Sequence, residues 1–111
     1  MNKELSLNLI TELLEAINKN NLEVLKTKFQ ISEAVYEEIN EVLNSYFINS
    51  IPKLYPNKNR FEMFKYENSE DFGIEIDLEV KNEPTELTLH TELHHLGNKN
   101  YELRYRLIEV M

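Results

Sequence analysis

The sequence predicts an α+β domain in which about three N-terminal helices pack on one face of a four-stranded antiparallel meander. Three observations carry that expectation. Apolar residues recur at helical steps through residues 1–50, the periodicity changes to two within residues 60–111, and turn residues separate the later strands closely enough to force antiparallel neighbours. A chain of 111 residues fits one domain, 1–111, and buries roughly two thirds of its unfolded surface at this size.

Leu5, Leu9, Ile10, Leu13, Leu14 and Ile17 form the apolar stripe of the first helix, and Asn18 to Asn21 ends it. Asn20 with Glu23 three residues on resembles a capping box opening a short helix through Leu22, Leu25 and Phe29. Ser32-Glu33 starts the third, whose face is Val35, Ile39, Val42, Leu43, Tyr46 and Phe47, running to about Asn49. Pro52 and Pro56 stop helix formation, so Ser50 to Arg60 is the connector. It carries Lys53, Lys58 and Arg60 with no acid, which reads as a solvated crossing loop or a small basic contact surface.

A first strand is expected over Phe61 to Glu67. The second follows from Phe72, Ile74, Ile76, Leu78 and Val80 alternating with polar residues. After the turn at Asn82-Glu83-Pro84, Leu87, Leu89, Thr91 and Leu93 alternate with Glu86, Thr88, His90, Glu92 and His94. Gly97 to Lys99 turns the chain again, and Tyr101, Leu103, Tyr105 and Leu107 are the inward set of the last strand. Ile108 and Val110 fall on the other parity, which a bulge near Leu107 explains.

Chemistry-bearing patterns are sparse. Without cysteine there are no disulfides, thiolate nucleophiles or Cys-based metal sites. With two glycines and no G-x-S-x-G or phosphate loop, no catalytic set is expected, and no cofactor. His90 and His94 share a strand face about 13 Å apart, too far to bind one zinc ion together. No metal site is expected. The aromatic residues Tyr46, Phe47, Tyr55, Phe61, Phe64 and Tyr66 read as core.

Net charge is −8, of which −6 lies in residues 60–111. Cationic contacts drive non-specific nucleic-acid binding, so no nucleic-acid partner is expected, and anionic membranes would repel the chain. The N-terminus lacks the basic start and apolar run of a secretory signal, and the expected location is cytoplasmic. From Glu70 to Glu86 there are seven acids and one base. Strand pairing about Asn82-Glu83 sets Glu79 against Glu86, Asp77 against Thr88 and Glu75 against His90. Pairing about Gly97 to Lys99 sets His94 against Glu102, Glu92 against Arg104 and His90 against Arg106. Like charges directly opposed are destabilising. Glu70, Asp71, Glu75, Asp77, Glu79, Glu83 and Glu86 are therefore the candidate partner-binding residues, for a protein of opposite charge.

The segments Gly73 to Leu78, Thr85 to Leu89 and Tyr101 through Val110 resemble those of a small bacterial domain family. Such small acidic proteins look like the immunity proteins that neutralise polymorphic or contact-dependent growth-inhibition toxins. The resemblance implies neutralisation of a cognate, basic toxin domain and brings no catalytic residues with it. The alternative is a small-ligand-binding or enzymatic cone domain of the NTF2-like type, with a pocket between helices and sheet.

Overall fold

The computed structural model describes residues 2–111. Three helices, α1 (Asn2–Asn18), α2 (Leu22–Lys28) and α3 (Glu33–Tyr46), precede four strands: β1 (Tyr55–Lys65), β2 (Phe72–Val80), β3 (Glu83–Gly97) and β4 (Asn100–Val110). The strands form one antiparallel sheet in the order β1-β2-β3-β4, with α1 and α3 against its apolar face and α2 against α1.

Helix α1 buries Ile10, Leu13, Leu14 and Ile17, as its periodicity requires. The cap of α2 is Asn21 rather than Asn20: its side chain accepts from the Val24 N–H, while Asn20 sits at φ 53° in the turn. Leu25 and Phe29 are buried, but Leu22 at the head of α2 is exposed. Ser32 caps α3 as expected, accepting from the Val35 N–H at 3.2 Å, and α3 ends at Tyr46. Its Ile39 and Leu43 close over the sheet together with Leu54.

The sheet contributes Ile74, Ile76, Leu78, Leu87, Leu89, Leu93, Leu103 and Ile108 to the core, all nearly inaccessible. These fill the space between helices and sheet where a cone-like domain would hold its ligand. The two expected registers hold through the sheet centre and shift at bulges. In β2–β3, Glu75 faces His90 and Asp77 faces Thr88, but Glu79 faces Pro84. The turn is Lys81-Asn82, both at positive φ, and Thr85 stitches the shift: its Oγ1 donates to the Leu78 carbonyl at 2.8 Å and accepts from the Leu87 N–H at 3.1 Å. In β3–β4, Thr91 faces Tyr105 and His90 faces Leu107, leaving Arg106 as the extra residue. One added residue reverses parity. Ile108 turns in and Leu107 turns out, 41% exposed, which corrects its expected inward position.

Strand β1 begins at Tyr55, inside the expected connector. Pro56 pairs with Leu78 and Phe61 with Ile76, so Asn57 to Arg60 bulge opposite Asp77 alone. Proline at an edge strand costs no ladder hydrogen bond when its missing N–H faces away from the sheet.

Candidate functional site

Helices cover one side of the sheet, so the other side presents its outward side chains. Alternation decides which they are: Arg60, Glu62 and Phe64 from β1, with Tyr66 just past its end, Gly73, Glu75, Asp77 and Glu79 from β2, Thr88, His90, Glu92 and His94 from β3, and Glu102, Arg104, Arg106, Leu107 and Glu109 from β4.

The centre of this face is acidic. Glu62 lies directly opposite Glu75, a like-charge pair set by the β1–β2 register, which no turn between those strands reveals in the sequence. Asp77 accepts from Arg60 Nε at 3.2 Å and from Thr88 Oγ1 at 2.8 Å. The His90 ring stands between two carboxylates, with Nδ1 3.9 Å from Glu75 and Nε2 3.0 Å from Glu109. A carboxylate can only accept, so Nε2 carries the hydrogen in that contact. A surface cavity of about 390 Å³ opens here, lined by Arg60, Glu62, Glu75, Asp77, Thr88 and Met111.

Beside the carboxylates lies an apolar rim. Phe64 is 43% exposed because it projects from the outward side of β1, not into the core as its residue type suggests. Its ring lies across Gly73, where an added Cβ would fall 2.4 Å from two ring carbons; glycine permits this close approach. Tyr66 meets Phe64 edge-on at 5.7 Å and donates to Glu92 at 2.9 Å. Burial first, then Glu92, pushes the Tyr66 phenol up from its ordinary range. Leu107 and Arg106 complete the rim across the β4 bulge.

The seven candidate acids do not form one patch. Glu70 and Asp71 precede β2 while Glu83 and Glu86 follow it, so a nine-residue strand of roughly 30 Å separates the two groups. Asp71 is engaged within the fold, accepting from the His95 N–H at 2.8 Å and from His94 Nδ1 at 2.7 Å. The His95 amide, followed by the His94 imidazole, holds its carboxyl below the usual range against a smaller opposing effect of desolvation. Glu70 lies 3.8 Å from Lys65. Glu83 and Glu86 are exposed, and the expected Glu79–Glu86 opposition does not form because of the Thr85 bulge. Glu79 instead shares a groove with Lys53, Lys58 and Lys81. Glu92 faces Arg104 as expected, yet its ion pair is with Arg106 at 2.8 Å, while Arg104 turns to Glu102 at 2.7 Å. What the fold brings together is Glu75 and Asp77 with Glu62 and Glu109.

No family model, curated protein or solved structure matches the chain. Among the described residues, no group of three or more His, Cys, Asp or Glu side chains is placed to hold a metal ion, and no helix is long and apolar enough to cross a membrane.

Proposed function

We propose that this chain is a binding protein that neutralises a cognate toxin domain in the manner of an immunity protein, presenting the open face of its sheet to a basic surface. One observation carries the proposal. The uncovered face sets Glu62 against Glu75, with Asp77 and Glu109 beside them, and borders these charges with exposed Phe64 and Leu107. Opposed carboxylates cost stability in the free protein. A cationic partner relieves that repulsion, and the two apolar side chains supply the desolvated anchors on which interface affinity usually concentrates. Many toxin domains act on anionic substrates through basic clefts, and an acidic sheet face covers such a cleft by electrostatic complementarity. A cysteine-free chain suits a reducing cytoplasm, where such a toxin would be met.

The test asks whether a toxin domain is encoded beside this chain's gene and co-expresses the two, scored by growth, with association kinetics measured on the purified pair; absence of such a neighbour counts against the proposal. Charge reversal at Glu62, Glu75 and Asp77 is expected to lower the association rate at least tenfold and to flatten its salt dependence. Phe64→Ala is expected to raise the dissociation rate. Intact protection by the charge-reversed protein refutes the proposal.

A further inference from the structure

The end of the sheet where β2 turns into β3 has the opposite character. A groove of about 780 Å³ runs there between the connector, the start of β1 and the β2–β3 turn, and Pro52, Lys53, Tyr55, Lys58, Val80 and Lys81 line it. Three of the twelve basic residues of a chain with net charge −8 thus converge on one surface from positions up to 28 residues apart in sequence. Among the described residues, Lys53, Lys58 and Lys81 make no ion pair, whereas Arg60, Lys65, Arg104 and Arg106 all do. Glu79 is the single acid of the lining, which leaves the groove cationic.

The walls are fixed rather than loose. Leu54 is buried, and Asn18 clamps its backbone at two points, accepting from its N–H at 2.8 Å and donating to its carbonyl at 2.9 Å. Pinning Leu54 inward turns Lys53 and Tyr55 outward, and Tyr55 is 48% exposed. Lys58 sits on the β1 bulge, where Asn57 Oδ1 accepts from the Asn59 N–H at 3.1 Å. Lys81 is held at φ 52° in the tight turn, a conformation that asparagine or glycine adopts at lower cost.

We infer that this groove docks an acidic peptide segment of a protein partner, with an apolar side chain of that segment against Tyr55, Pro52 and Val80. Charge selects the class: an anionic segment is repelled by most of this protein and attracted only where its lysines gather. At physiological salt, screening acts over about 8 Å, so the groove's own lysines dominate what the segment meets. The lysines are separate point charges on flexible stems, suited to a run of spaced carboxylates. A phosphate site would favour arginine forks or converging backbone N–H groups. The inference is independent of what binds the acidic face.

The experiment measures fluorescence anisotropy of a labelled nine-residue peptide of Glu and Asp around one central Phe, with the full chain in 50 and 300 mM salt. The expected result is saturable binding that weakens at higher salt. Replacing Lys53→Ala, Lys58→Ala and Lys81→Asn together should weaken it at least tenfold. Lys19→Ala, Lys26→Ala and Lys99→Ala together should change it less than twofold. Lys81→Asn suits the turn, so unfolding does not confuse the result, and Lys81→Asn alone should already weaken binding severalfold. Equal loss in both triple variants overturns the inference, as does absence of binding. ATP displacing the peptide at lower concentration than unlabelled peptide overturns it in favour of a phosphate ligand. Self-association of the wild type, removed by the groove variant in sedimentation, overturns it in favour of a second copy of this chain.

Discussion

Substituting Gly73 by alanine isolates the seat of Phe64 on the open face. An added Cβ at Gly73 would lie 2.4 Å from the Phe64 ring carbons Cε2 and Cζ and 2.9 Å from the Tyr66 hydroxyl. All three atoms are the far ends of side chains, and Phe64 is 43% exposed, so its ring swings into solvent and the backbone stays in place. The cost then sits near the low end of the ~1–3 kcal/mol for overpacking. It includes the Phe64–Tyr66 edge contact, worth about 0.5–1.5 kcal/mol. Against it stands roughly 0.4–1 kcal/mol regained by restricting the unfolded chain. The cost wins narrowly, and Gly73→Ala is expected to destabilise by about 0.5 kcal/mol, lowering the melting temperature by roughly 2–4 °C.

Thermal and urea unfolding followed by far-UV circular dichroism measures this, and a double-mutant cycle decides the cause. In a Phe64→Ala background the ring is gone, and Gly73→Ala is expected to be neutral or slightly stabilising. The coupling should be about 1 kcal/mol. Equal destabilisation in both backgrounds would show that glycine matters there for its backbone alone, and the account of Phe64 as a seated surface anchor would fail.

Thr91 is buried and its Oγ1 has no hydrogen-bond partner, so Thr91→Val is expected to stabilise by about 1 kcal/mol, read as a higher urea midpoint. Asp71 has its pKa lowered in the fold, so its contribution is complete above the unfolded value near 3.9 and drains as pH falls through the folded value; Asp71→Asn should flatten that acid limb of the stability–pH curve. Burial, with Glu38 adding to it, pushes the Tyr105 phenol up to about 12, so its contribution is full below about pH 10 and lost as pH rises toward 12. At most about 2 kcal/mol of alkaline destabilisation, with solvent screening allowed for, should vanish in Tyr105→Phe. Glu62→Gln removes one member of an opposed pair and should raise stability by about 0.2–1 kcal/mol in urea melts, while slowing association with a basic partner.

Periodicity made the elements legible and left the register partly hidden. The alternation of Phe72 to Val80 and of Leu87 to Leu93 forces one face inward, and both strands lie as that pattern requires. The Thr85 bulge moves the β2–β3 register by two residues. Such a shift preserves parity, so no apolar pattern could reveal it, and the Glu79–Glu86 opposition was lost for that reason. The Arg106 bulge shifts by one, and the misplaced parity of Ile108 announced it, although not that Leu107 would be the residue turned out. Residue type alone assigns Phe64 to the core, as it does most large aromatic side chains; its outward place follows from its pairing with Gly73 on the neighbouring strand, a non-local signal. Lys53 and Lys58 were visible as a basic stretch, but Lys81 joins them only through the hairpin.

Stability and function make opposite demands on the open face, and this lets them be told apart. Were the face only solvated surface, neutralising Glu62 or Glu75 would improve the protein at no cost, since screening leaves little to lose and the repulsion is local. Were it a docking face, the same change would stabilise the free chain and weaken the complex, because the repulsion released on binding is a source of affinity.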